Sequence, residues 1–268
     1  MSWRVNAERI VLLGWSRAIL LQLAHPLVAA GVAEHSSFRE GGLHAAKRLH
    51  LTVKAMLALT FGDAHGRAAA LEGIRAIHRR VHGHLPIAAG RFAAGTPYSA
   101  EDPDLVLWVH ATLLDSIPLV YGELVQPLSE AECDQYFVDA AAIAIELGAR
   151  PHDVPRTSAA LGLYLDQMYA TRSIAVTAQA RELAAAVLAP PFAPLVAPVA
   201  WINRLATVGW LPERIRAGYG FAWTPRQERT LRMTIKTLRL CRRVTPRALA
   251  LWPEAKHVSS AGSPREAP

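Results

Sequence analysis

The apolar residues of this chain recur at three- and four-residue intervals over long stretches, and nowhere do they alternate. That property points to an all-α fold, because a strand half-buried in a sheet needs a period of two. From Leu43 to Phe61 the strong helix formers place Leu49, Val53, Met56, Leu57 and Thr60 at helical spacing, and Gly62-Asp63 ends the stretch. Ala68 to Val81 is predicted as a second helix with a stripe of Leu71, Ile74, Ile77, His78 and Val81, closed by Gly83 and Pro86. Residues 95–103 read as a loop from which Ser99 or Asp102 caps a helix through Leu107, Val109, His110 and Leu113. Ser129 with Glu132 forms a capping box for a helix through Tyr136 to Leu147, which Gly148 stops. Pro155 to Ala186 reads as one or two helices, Pro190 to Pro198 as too proline-broken for any, and Pro225 to Val244 as an amphipathic helix. No internal repeat is found. The expectation is a single-domain helical bundle over residues 1–245, followed by a disordered tail over 246–268.

The stretch from Ile10 to Val32 is apolar but contains Arg17, Gln22, His25 and Pro26, interruptions that a membrane span of about 20 apolar residues does not tolerate. It reads as a buried helix ending near His25-Pro26, because the residue before proline disfavours helix. No secretory signal is evident. With two cysteines, Cys133 and Cys241, the chain suits a reducing compartment and has no disulfide framework, so a cytoplasmic location is expected. Charge is unevenly distributed. Residues 201–268 hold 13 basic and 4 acidic side chains, whereas the first 200 hold 16 and 18, so the main body is not a polyanion binder.

The sequence contains no phosphate-cradling glycine loop, nucleophile elbow or zinc-binding histidine pair. What remains is a crowd of histidines, nine of the 11 lying between His25 and His110. His78 and His82 are four apart and would share a helix face. Gly83 follows at once, and its missing side chain would let a flat cofactor approach the backbone. Arg48 and Thr52, one turn apart on the preceding helix, suit a carboxylate, a propionate or bound oxygen. His25 before Pro26, and His110 within Trp108-Val109-His110-Ala111-Thr112, pose the same question of ligand or core residue. From spacing alone, the reading as hydrogen-bonded core histidines outweighs the reading as ligands.

The string His25-Pro26-Leu27-Val28-Ala29-Ala30-Gly31-Val32-Ala33-Glu34-His35-Ser36 adds to this. So do Arg48-x-x-x-Thr52, Phe61-Gly62, His78-x-x-Val81-His82-Gly83, and Asp102-Pro103-x-Leu105-x-x-Trp108-Val109-His110-Ala111-Thr112, with Tyr121 and Pro127-Leu128-Ser129. Together, in this order, they resemble the latex-clearing proteins (rubber oxygenases) and the fungal MpaB-type oxygenase over roughly residues 10 to 220. The resemblance implies a b-type haem in a globin-like helical core, with His82 as the axial ligand to iron and Arg48 and Thr52 as the functional pair beside the haem. His78 would then serve as a cofactor contact one turn away. Rubber oxygenases carry a distal lysine on the Arg-to-Thr helix; here the position before Thr52 is Leu51, with Lys47 and Lys54 nearest. They also use an acidic base near the substrate, for which Glu34 is the nearest candidate.

The implied activity is oxygenation with dioxygen of a small hydrophobic, lipid-like or isoprenoid-like substrate, with oxidative cleavage of a carbon–carbon double bond as the expected reaction. Two alternatives stay open. One is a non-catalytic haem sensor or carrier with His110 or His25 as a second axial ligand, and the other is a haem-free helical protein that docks on membranes. Arg232, Lys236, Arg239 and Arg243 cluster on one side of the last helix, next to a stripe of Leu231, Ile235 and Leu238. The plain reading is a surface helix packed on the core, and the functional one is peripheral membrane contact through residues 190–244, with Trp201 and Trp210. No nucleic-acid partner is expected, for want of any groove-reading motif.

Overall fold

The computed structural model describes residues 1–35, 42–189 and 193–255, with side chains from 50 onward in the second stretch and from 196 onward in the third. Among them are thirteen α-helices, a short 3-10 turn and one two-stranded ribbon, so the fold is all-α. Its centre is the pair α2 (Leu13–Leu23) and α6 (Pro103–Leu124), the most extensive helix contact in the molecule.

Polar side chains set the register of that pair. Arg17, 5% exposed, pairs with Asp115 at 2.7 Å, donates to Ser116 Oγ at 2.7 Å, and donates through Nε to the Trp210 carbonyl at 2.8 Å. One guanidinium thus ties α2 to α6 and to α10 (Ala193–Trp210), and its fork suits three acceptors at once. One turn on, Gln22 donates to Thr112 at 3.1 Å, and the Trp108 indole N–H donates to the Gln22 carbonyl at 3.3 Å. Helix α6 is long and apolar enough to cross a membrane, but 72% of that window is buried against other helices. That is how a central core helix packs.

The predicted break at proline is a sharp corner. Chain direction turns by 106° between the segment ending at Leu23 and α3 (Pro26–His35), with buried His25 at the bend. The helix expected to end near His25-Pro26 is α2, which stops at Leu23, and α1 (Ser2–Asn6) and the 3-10 turn Arg9–Leu12 precede it. On one side, α7 (Glu130–Glu146) and α8 (Ser158–Ala170) bury Tyr136, Phe137 and Leu161 against Leu114, Ile117 and Tyr121 of α6. On the other, α9 (Ala178–Leu188), α10 and α11 (Glu213–Gly218) pack Leu183, Leu188, Val208 and Ile215 onto Leu20, Leu21 and Leu23 of α2. Asp102 accepts from the Asp104 N–H at 2.9 Å, and the Ser129–Glu132 capping box is formed.

Four expectations are corrected. The helix expected over Ala68–Val81 is α5, Ala64–His78, and its C-terminus gives way to a strand rather than a loop. Strands β1 (His82–His84) and β2 (Pro97–Ser99) pair antiparallel with His82 opposite Ser99, each too short to show alternation. Helix α10 begins at Ala193 and runs through Pro198, which it accommodates by a kink at Val196, so the second half of the proline-rich segment is helical. The chain beyond 245 is not a free tail as far as residue 255. Helix α13 (Arg247–Ala250) follows α12 (Pro225–Val244), the Trp252 N–H donates to the Ala7 carbonyl at 3.0 Å, and Ala255 is buried with Phe61.

Candidate active site

Helix α4 (Gly42–Phe61) and α5 are joined by two residues and pack along each other, so they run antiparallel. With equal rise on both helices, the turn carrying Arg48 falls beside the Ile77–His78 end of α5, and the chain then enters β1 with His82. The hairpin therefore brings three of the predicted positions to one end of the molecule. The Arg48 and Lys47 side chains lie outside the described residues. Thr52 and His82 are exposed, while His78 is half-buried. Burial holds the His78 imidazole below its ordinary pKa, with Glu101 opposing the shift, so it is neutral near pH 7.

His78 and His82 do not share a helix face, because α5 ends at His78 and the chain turns at Arg79-Arg80. The ribbon instead pins His82. The Ala100 N–H donates to the Val81 carbonyl at 2.8 Å, and the His35 Nε2 donates to the His82 carbonyl at 3.0 Å. The latter bond ties the last residue of α3 to β1. Beside it, the Tyr98 hydroxyl donates to Glu34 Oε2 in a short hydrogen bond. Tyr98 is 5% exposed, and burial together with the adjacent carboxylate raises its pKa and keeps the phenol protonated.

Gly83 meets the same pair. A Cβ there would stand 2.6 Å from the Tyr98 hydroxyl oxygen and 3.0 Å from Glu34 Oε2. The missing side chain makes room for the tyrosine–glutamate pair. Sequence reading named neither Tyr98 nor His35 as a site residue. The available signal was Gly83 itself, a small residue facing a tyrosine across a ribbon that period-based reading does not detect.

His25 and His110 are placed in the interior. They are 3% and 7% exposed, and burial lowers each to about 4, with Arg91 contributing at His25. His25 lies against Phe92 and Trp108, with ring centroids 5.1 and 6.3 Å away. Among the described residues, His25 Nδ1 and His110 Nε2 find no hydrogen-bond partner. Because neither ring reaches the surface, neither offers a nitrogen to a group bound outside the helical core.

The resemblance implies a haem, and the residues present fit one. Among the described residues no three His, Cys, Asp or Glu side chains cluster to hold a bare ion. An exposed imidazole on a pinned strand, with the His35 ring 6.4 Å away, suits a metal whose other positions a macrocycle supplies. Apolar surface is on offer at the same hairpin, where Leu51 and Ile77 are 54% and 59% exposed.

The sequence profile of the family described as ER-bound oxygenase mpaB/B'/rubber oxygenase, catalytic domain, matches residues 3–240. The chain belongs to this family. Two relatives, described only as uncharacterized proteins of Mycobacterium bovis and Mycobacterium tuberculosis, are each 29% identical over 238 residues, covering 85% of this chain and 87% of theirs. No solved structure matches. Membership of the mpaB/rubber oxygenase family supports an oxygenase-type activity for the domain that carries His82, Glu34 and Tyr98.

Proposed function

We propose that the protein is a haem b-dependent oxygenase that uses dioxygen to cleave a carbon–carbon double bond in a hydrophobic, isoprenoid-like or lipid-like substrate. The observation that carries the reading is an exposed histidine, His82, on a strand pinned from both sides, with the His35 ring 6.4 Å away, in a chain of the mpaB/rubber oxygenase family. His82 would hold the iron through its imidazole, and Arg48 and Thr52 on α4 would fix the group or bind oxygen beside it. When bound, the haem supplies the activation of dioxygen.

The protein's own contribution is orientation, exclusion of water and proton handling. Tyr98 occupies Glu34 Oε2, and Oε1 would take a proton from the substrate as general base and return it as the double bond breaks, so that no proton is lost overall. His35 holds the His82 backbone, so the strand bearing the ligand and the helix end bearing the base move as one body. Leu51 and Ile77 offer an apolar surface to an alkene. The overall reaction balances without an external reductant: the double bond breaks, and each carbon takes one atom of dioxygen as a carbonyl oxygen.

The test supplies haem-loaded protein with squalene or an unsaturated fatty acid under 18O-labelled dioxygen, and reads the products by mass spectrometry. The reading predicts paired carbonyl fragments with one labelled oxygen each before exchange. Absence of cleavage products from both probes, or fragments whose oxygen comes from water, would overturn it.

A further inference from the structure

We propose that the outward face of α12 docks on an anionic membrane surface. The helix is amphipathic in two senses. Its inner side is fastened to the body: Leu231 and Ile235 pack with Leu205, Ala206 and Trp210 of α10. Arg239 donates to the carbonyls of Glu123 at 2.9 Å and Gly122 at 3.0 Å, and Arg242 donates through Nε to Glu8 at 2.6 Å. The apolar stripe evident in the sequence is therefore the buried one, and Arg239 is spent on the end of α6.

The outer side carries a second apolar stripe. Met233, Leu240 and Val244 are 63%, 62% and 76% exposed. At about 100° per residue they fall within an arc of about 40°. Arg229, Arg232, Lys236 and Arg243, all exposed, occupy the adjoining arc of about 60°. The helix has a single acidic residue, Glu228, whose carboxylate is engaged by the Trp223 indole at 2.9 Å. From Arg229 to Val244 the face runs for about 22 Å. Beside α12, helix α10 exposes Val199 and Trp201 by 65% and 52%.

An apolar ridge bordered by cations with no anion on the face is the chemistry of a helix lying in the interface of an anionic bilayer. The apolar side chains enter the headgroup boundary, and the cations remain within a Debye length of the lipid phosphates. Two other occupants fit less well. A second copy of the chain would set like-charged faces against each other. A nucleic acid would meet the apolar ridge where its phosphates need cations, with no aromatic residue on the α12 face to stack a base. Because residues 1–200 hold 16 basic against 18 acidic side chains, the attraction is confined to this end and orients the molecule. The inference stands whether or not a haem is bound.

The test is co-sedimentation of the full chain with vesicles of phosphatidylcholine alone and of phosphatidylcholine with about 30% phosphatidylglycerol. Two variants accompany it, R229Q/R232Q/K236Q/R243Q and M233S/L240S, each checked for unchanged helical circular dichroism and melting, as their exposed positions allow. The wild type is expected to bind only the anionic vesicles, with affinity falling at least about tenfold in about 0.5 M salt. The charge variant should lose about a hundredfold or more, since each cation near such a surface contributes about a fivefold factor. The ridge variant should lose about tenfold. Failure to bind anionic vesicles, equal binding to neutral ones, or variants that bind like the wild type would each overturn the proposal. So would a dimer that M233S/L240S dissolves, which would make the face a contact between copies, or tighter binding to duplex DNA than to vesicles.

Discussion

Arg242 and Glu8 make a two-toothed ion pair that clamps α12 to the N-terminal segment, with side chains 18% and 7% exposed. Arg242→Met keeps the aliphatic stem and leaves the Glu8 carboxylate buried without its partner. Breaking a buried pair from one side typically costs about 3–5 kcal/mol. Partial solvation of the arginine pulls this instance to the lower end. We therefore expect a loss of about 3 kcal/mol at pH 7, equivalent to a fall of about 6–12 °C in melting temperature for a chain of this size. In E8Q/R242M no buried charge is stranded, and the double variant should recover about 1 kcal/mol or more relative to Arg242→Met alone. Urea unfolding followed by circular dichroism measures both. A loss below about 1 kcal/mol at pH 7, or a double variant no better than the single, would refute the clamp as an energetic fastening.

Burial that depresses His25 and His110 to about 4 makes stability depend on acid. The unfolded chain takes up these protons first as pH falls below about 6.5, so stability is full above that value and is lost towards pH 4, by about 2 kcal/mol per histidine at pH 5. Urea midpoints at pH 7.5 and 5 should show this slope, and His110→Leu, which removes the unpartnered Nε2, should flatten it. Tyr98→Phe keeps the buried ring and deletes only the hydroxyl that holds Glu34. Stability should fall by no more than about 2 kcal/mol and haem content should hold, while product formation drops and its pH profile shifts. In Gly90→Ala, the backbone has φ +59° and the new Cβ would stand 2.3 Å from the Arg172 carbonyl oxygen, so the loop bearing Phe92 must move. The expected cost is about 2–4 kcal/mol in thermal unfolding, because left-handed backbone strain adds to overpacking.

The sequence carried the helical frame because its signals are local. Asp102 and Ser129 each cap a helix from within three residues, and Pro26 breaks the chain at the 106° corner. The ribbon escaped because two three-residue strands cannot display a period, and their pairing depends on the turn through Gly95, whose φ is +81°. Tyr98 and His35 escaped with it. Their partners, Glu34 and His82, are 64 and 47 residues distant in sequence, and no local pattern encodes that contact. The axial candidate His82 came from resemblance, since helical spacing would have put it on one face with His78. On α12, periodicity found the stripe that packs inward and missed the exposed ridge, because both have helical spacing and only the neighbours decide which is covered. Residues 246–255 looked like a tail for want of a periodic pattern, yet Trp252 and Ala255 find partners at the opposite end of the chain.

Whether His82 holds a haem is tested most directly by ultraviolet–visible spectra of the wild type, His82→Ala and His78→Ala, each expressed with haem supplied and read as isolated, reduced and with carbon monoxide. The account predicts a stoichiometric haem b spectrum that responds to carbon monoxide in the wild type and is retained by His78→Ala. His82→Ala should lose it while keeping its helical circular dichroism. A colourless wild type, or a His82→Ala protein with full haem content and an unchanged spectrum, would contradict it.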